Sequence, residues 1–346
     1  RHGCRALDQI LMVKKAARAG RSKVGRTSTK KRPAIRSAAK GAKKKPPAAK
    51  ATAPELVTIF DYVRFGAAQL KRARVAFAHG TTDPVAEAAF LVGEAMHLHP
   101  DEVEPRAAQR VTKAAGRRIL GWIEQRIATR KPAAYLVNKM YMRGLPFYVD
   151  ERVIVPRSFI GEILDSHFGD DDGLRLRDPM QVTRVLDLCT GSGCLAILAA
   201  HAFPNATIDA ADLSADALDV AARNVREHGL EDRIQLAQGD LFGAVEGKRY
   251  DLIISNPPYV DAEGMAALPR ECLAEPRMAF DGGNDGIDLV RQIIDGAKAH
   301  LKPGGGLLCE VGRCKPAREK AYPRADLLWL ETEEAEDEVF WIEGGA

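Results

Sequence analysis

The sequence has no two cysteines spaced as a Cys-x-x-Cys pair and no cysteine–histidine group at zinc-site spacing. Its six cysteines, Cys4, Cys189, Cys194, Cys272, Cys309 and Cys314, are scattered. In a chain of 346 residues that pattern argues against a disulfide-stapled fold and a metal centre, and suggests reduced thiols in a cytoplasmic protein. No uninterrupted apolar run approaches the roughly 18 residues of a membrane span, so no membrane partner is expected. Aromatic residues make up only 6%, and no aromatic-and-basic module of the kind that reads RNA stands out. Apolar material is plentiful. At 46% hydrophobic residues the chain can fill the cores of two domains.

Acidic residues are nearly missing from one stretch. Residues 1–54 carry seventeen Lys or Arg against the single acid Asp8, whereas the remainder is acidic by twelve charges. This Ala/Lys/Pro-rich arm has too few large apolar residues to offset its chain entropy and is expected to be disordered. Its charge suits contact with RNA or the ribosome. It also reads as a solubilising extension ahead of a start at Met12, or as a transit peptide.

Helical periodicity begins after the arm and runs through residues 55–131. Phe60, Val63 and Ala67 recur at three-to-four spacing, as do Ala89, Val92 and Met96, and Asp83-Pro84 has the form of a helix cap. Residues 132–157, with Gly144 between short alternating runs, suggest a β-hairpin linker. Over 158–346 strands and helices alternate, with RVLDL, ATIDAAD, RIQLAQGD and YDLIIS as strands, and ADLLWLE and EVFWIE as closing strands. That rhythm predicts an α/β domain built on a parallel sheet.

The first loop of that domain, VLDLCTGSGCLA, fits a cofactor turn. Gly191 and Gly193 stand at a helix entry, and Asp187 closes the strand. A dinucleotide would bring phosphates towards the Asp187 carboxylate, which repels them. S-adenosylmethionine has no phosphate and carries a sulfonium and an ammonium group, so the same charge favours it. Asp212 is placed to meet the ribose, and Gly239-Asp240 the adenine. Each aspartate also reads as an ordinary cap or turn residue; their recurrence at successive strand ends favours a ligand edge.

Asn256-Pro257-Pro258-Tyr259 follows YDLIIS, and two prolines cannot continue a sheet ladder. The rigid loop offers the Asn256 side-chain carbonyl and the Pro257 backbone carbonyl as acceptors for an NH₂ group, with Tyr259 to pack over a planar substrate. Two acceptors can orient a delocalised amide nitrogen for methylation. The same loop chemistry serves an exocyclic amine of a base in rRNA or DNA. A nicotinamide oxidoreductase leaves this loop unexplained, and a non-catalytic RNA-binding assembly factor would rest on the basic arm.

On these residues, residues 56–346 resemble the N5-glutamine methyltransferases that modify translation proteins. GLPFYVDERVIVPRS and LDLCTGSGC look most like the branch acting on large-subunit ribosomal protein three, because Val155-Pro156-Arg157-Ser158-Phe159 differs from the release-factor pattern. Two positions depart from common patterns: Cys189 replaces the glycine of many methyltransferases, and Phe159 replaces the proline common in the ribosomal branch. The resemblance implies a Rossmann-like, seven-stranded S-adenosylmethionine-dependent methyltransferase domain behind a small helical bundle. It implies Asp187, Thr190, Gly191 and Gly193 around the methionine part, Asp212 at the ribose, and Asp240 and Leu241 at the adenine. Asn256, Pro257, Pro258 and Tyr259 would hold the glutamine, with Asn256 also near the cofactor. The expected partner is the ribosomal protein or an assembly intermediate, with release factors as the alternative substrate, for a monomer or weak dimer. Glu275-Pro276-Arg277 and Gly283-x-Asp285-Gly286 match a further segment, read as a cover near the substrate.

Overall fold

The computed structural model describes residues 55–77, 79–81, 83–166, 179–323, 327–332 and 337–344. The basic arm, and the RNA contact read from it, lie outside those residues. Among the described residues no helix is long and apolar enough to cross a membrane.

The helical region opens with α1 (Ile59–Arg72), started by a reciprocal cap between Thr58 and Asp61. α2 (Pro84–Met96) starts at Asp83, whose carboxylate accepts from the Val85 and Ala86 amides, with Pro84 in the first turn as the sequence predicts. The short α3 (Pro100–Val103) and the long α4 (Lys113–Thr129) follow. Ile59, Leu91, Val92, Ile119 and Ile123 form the shared core. One polar pair interrupts it: the fully buried Arg126 of α4 donates through Nε to Glu87 Oε1 of α2 at 2.8 Å. The same guanidinium donates to the carbonyls of Arg130 (2.9 Å) and Ala76 (3.0 Å), so its charge is spread over four acceptor atoms.

The linker departs from a plain hairpin. A helical stretch, α5 (Ala133–Val137), precedes the antiparallel strands β1 (Met140–Met142) and β2 (Leu145–Phe147). Its first three residues are all buried, and packing there outweighs the short segment's weak propensity.

After α6 (Ile160–Ser166) come β3 (Arg184–Leu188), α7 (Cys194–Ala202), β4 (Thr207–Asp212), α8 (Ala215–Glu227) and β5 (Ile234–Gln238). Then follow β6 (Tyr250–Ser255), α9 (Ala262–Ala267), α10 (Asp288–His300), β7 (Leu301–Glu310) and α11 (Lys315–Ala321). β8 (Leu328–Leu330) and β9 (Val339–Glu343) close the domain. The seven strands order as β5-β4-β3-β6-β7-β9-β8; the first five are parallel, and β9 runs antiparallel between β7 and β8. Alternate residues of the central strands feed two cores. Val185, Ile208 and Leu252 face α6–α8, while Leu186, Ile253 and Leu307 pack with Val290 and Ile293 of α10. Succession runs outward through β4 and β5 on one side of β3, and through β6 and β7 on the other. The strand order therefore reverses between β3 and β6, and such a reversal opens a crevice at the carboxyl ends of the strands.

Candidate active site

The loop leaving β3 forms one wall of that crevice. Thr190 Oγ1 donates to Asp187 Oδ2 at 2.6 Å, and the Ala196 amide donates to the same oxygen at 3.0 Å. Burial pushes the Asp187 carboxyl up to about 7. Its Oδ1 is buried with no hydrogen-bond partner among the described residues. Gly193 must be glycine twice over: its φ is +81°, and a Cβ there would come within 3.2 Å of the Ala221 Cβ on α8. That left-handed residue caps α7, so the helix begins at Cys194. The Gly191 amide donates to Asp212 Oδ2 at 2.8 Å, tying the loop to the end of β4. The Ser214 amide donates to Asp212 Oδ1 at 2.9 Å, and burial raises this carboxyl too.

Two cavities lie along the edge. One, of about 590 Å³, is lined by Asp212, Leu213, Gly239, Asp240, Leu241 and Pro258 among others. The other, of about 550 Å³, is lined by Thr190, Arg157, Ser158, Pro257, Tyr259 and Phe280 among others. Ile154, Cys189, Gly191, Asn256 and Ala279 belong to both, so the cavities meet at a shared wall. No histidine of the described residues lines either. Asp187 and Gly193, expected to line the methionine part, line neither cavity: Asp187 is fully buried beneath the loop and braces it from inside, and Gly193 is spent on the packing against α8. The departure Cys189 stands on the shared wall with φ +60°, a conformation a cysteine adopts at some cost.

The loop after β6 forms the opposite wall. Asn256 Nδ2 donates to the Arg157 carbonyl at 3.0 Å. A carbonyl can be met only by the NH₂ half of the side chain, so this contact fixes which way the amide faces and leaves Oδ1 as the acceptor. Tyr259 donates its hydroxyl to Glu310 Oε1 at 3.1 Å, and burial holds the phenol well above its ordinary range. Gly312 packs on the same ring, where a Cβ would approach within 2.5 Å. Glu310, at the end of β7, accepts from Ser158 Oγ (2.6 Å) and the Phe159 amide (3.0 Å) through Oε2. Residues 280–286 brace the loop from behind: the Val260 amide donates to Phe280 O at 2.8 Å, and the Gly282 amide to Val260 O at 2.9 Å. Pro276, Arg277 and Met278 wall the larger cavity, whereas Asp285 pairs with Arg291.

Sequence reasoning did not single out Glu310, nor the backbone of Val155–Phe159 as a wall. The signal for the first was a lone carboxylate closing the apolar run GGLLCE. Among the described residues His79, Cys272 and Glu275 offer nitrogen, sulfur and oxygen atoms within 4.8 Å of one another. Arg157 already donates to both Glu275 oxygens, and a dication there would sit against its guanidinium.

Glu310 gives a pH test. Burial pushes its carboxyl from the ordinary 4.5 up to about 7. The folded chain therefore binds this proton more tightly than the unfolded one, and the associated stability is fully present below 4.5 and lost as pH rises through about 7. Glu310→Gln should remove that contribution. Urea titrations across pH 4.5–8.5 should show the variant gaining on the wild type by on the order of 2–3 kcal/mol, with a plateau above pH 8. A difference flat with pH would mean that Glu310 is ionised in the folded chain throughout.

A reversed parallel sheet with a glycine turn after its first strand, and an Asn-Pro-Pro-Tyr loop facing it, defines a Rossmann-like methyltransferase. Residues 174–283 match the family model described as Methyltransferase small domain. The chain is 65% identical over 299 residues to the ribosomal protein uL3 glutamine methyltransferase of Bradyrhizobium diazoefficiens, covering 86% of this chain and 94% of that one. It is 48% identical to the enzyme of the same name from Bordetella pertussis (83% and 95% covered) and 47% identical to that from Burkholderia pseudomallei (82% and 94%). The chain belongs to the family of ribosomal protein uL3 glutamine methyltransferases.

Proposed function

We propose that this chain transfers a methyl group from S-adenosylmethionine to the side-chain amide nitrogen of a glutamine in ribosomal protein uL3, in the cytoplasm. The observation that carries the reading is Asn256, pinned by the Arg157 carbonyl on the wall common to both cavities. S-adenosylmethionine supplies an electrophilic methyl on a sulfonium when bound. The residues suit it: Asp212 can accept from the ribose hydroxyls, Asp240 and Leu241 can flank the adenine, and Thr190 and Gly191 can border the methionine part. The Asp187 oxygen that has no hydrogen-bond partner among the described residues lies beneath that loop, and a cationic ligand there would favour the ionised form of the carboxyl.

The smaller cavity then takes the glutamine. Asn256 Oδ1 and the Pro257 carbonyl accept its two N–H bonds, and Tyr259, held by Glu310, packs against the planar amide. With S-adenosylmethionine bound, these residues would hold the amide nitrogen towards its methyl, and positioning of that kind contributes several kcal/mol. No general base is required, since the proton is released after the nitrogen has become cationic.

The test is transfer of labelled methyl into ribosomes, assembly intermediates and free uL3 from cells lacking the endogenous activity, followed by peptide mapping. Label on a uL3 glutamine is expected. Label on a release factor alone would keep the chemistry and move the substrate, and label on rRNA would move the acceptor to a base amine.

A further inference from the structure

The buried carboxylate of Glu275 connects the helical bundle to the Asn256 amide. Glu275 follows the turn Arg270–Ala274, and nearby Leu268, Pro269 and Cys272 wall the smaller cavity. Its Oε1 accepts from the Val155 amide at 2.9 Å and from Arg157 Nη1 at 3.3 Å, and Oε2 accepts from Arg157 Nη2 at 3.4 Å. Val155 and Arg157 flank Pro156, whose ring fixes its own φ. One carboxylate thus clamps both sides of a stiff tripeptide, and the Arg157 carbonyl at its end is the group that orients Asn256. On its other side Glu275 Oε2 lies 3.1 Å from Nε2 of His79, a buried residue between α1 and α2. Four residues earlier, Glu271 makes a parallel connection to the bundle, accepting from the Ala76 amide (3.0 Å) and Arg130 Nη1 (3.3 Å).

Resting on the proposed glutamine reading, we infer that Glu275 is a positioning residue for Asn256, and that the helical bundle, through His79, governs how rigidly the acceptor amide is held. Glu275 touches no reacting atom in this scheme. It acts by denying the Val155–Arg157 backbone the small rotations that would let the Asn256 amide swing away from the methyl. A misplacement of about 1 Å is enough to cost on the order of a hundredfold in rate. The alternative is that Glu275 merely staples the bundle to the sheet domain.

The two accounts differ in what Glu275→Gln does to the full-length protein. Positioning predicts a kcat lower by about 10–100-fold, with KM for uL3 and S-adenosylhomocysteine affinity each within about threefold. It also predicts that hydrogen exchange of the ¹⁵N-labelled Asn256 side-chain NH₂ speeds at least tenfold, because its bond to the Arg157 carbonyl opens more often. His79→Ala should move both readouts in the same direction by less, and Glu275→Gln should add nothing in an Asn256→Ala background. A staple predicts a lower melting temperature with kcat per folded molecule and Asn256 exchange unchanged, and that result would overturn the inference. If Glu275→Gln does not fold, Arg157→Lys, which keeps the backbone carbonyl but loses the two-pronged grip, reads the same quantities. The exchange measurement needs no substrate. A wild type that fails to label uL3 would therefore remove the proposed function while the Asn256 exchange rates still decide this inference.

Discussion

Asn256→Ala should lower kcat for uL3 methylation by about 10²–10³-fold, the range seen when one preorganised polar contact to a reacting group is removed. The side chain contributes nothing to the described cores, so the variant should stay folded. Because Asn256 lines the larger cavity as well, S-adenosylhomocysteine affinity should weaken, by less than tenfold. Asn256→Asp is the sharper variant. It is nearly isosteric, yet it replaces the NH₂ that meets the Arg157 carbonyl with a second oxygen. Two acceptors 3.0 Å apart repel, so the carboxylate must turn away or take up a proton, and activity should fall as far as in Asn256→Ala. Single-turnover transfer with labelled cofactor measures both. An Asn256→Asp enzyme within fivefold of wild type would show that the Arg157 contact does not orient the amide.

The other large effect is on stability. Arg126→Met removes the guanidinium that neutralises Glu87 and leaves that carboxylate in the bundle core with the Thr81 hydroxyl, at 3.3 Å, as its remaining side-chain partner. Breaking one half of a buried pair costs about 3–5 kcal/mol, since the surviving charge has lost both its solvent and its counter-ion. The loss should fall on the helical region and appear in urea unfolding as an earlier transition for Trp122, which packs on that core. Replacing both partners, Arg126→Met with Glu87→Leu, should recover most of the loss. A single variant costing less than 1 kcal/mol would mean that water reaches Glu87 once the arginine is gone.

Much of the fold was legible because its signals are local. Asp83-Pro84 marks a helix start wherever it packs, and paired prolines after YDLIIS end a strand in any context. The apolar runs of β3 and β6 carry no alternation because both faces are buried, which itself announces a central parallel strand. The site was legible to the extent that its residues sit in the two loops at the strand reversal. What the sequence could not show is contact across distance. Glu275 and Arg157 lie 118 positions apart, and Glu310 and Ser158 lie 152 apart. No local pattern distinguishes a carboxylate that braces a catalytic loop from one facing water. Asp187 is a related case: strand position puts it at the ligand edge, but does not say that its side chain lies buried beneath the turn.

The fixed facing of the Asn256 amide bears on fidelity as well as rate. In many sites an asparagine can rotate and greet either an amide or a carboxylate, offering oxygen to one and nitrogen to the other. Here the nitrogen is committed to the Arg157 carbonyl, and the neighbouring Ser158 hydroxyl is committed to Glu310. A glutamate in place of the target glutamine would bring oxygens against the Asn256 and Pro257 oxygens, with no hydrogen between them. On the proposed reading the enzyme therefore inspects its target for deamidation. A uL3 molecule whose glutamine has aged into glutamate would pass through unmarked and would not compete for the site.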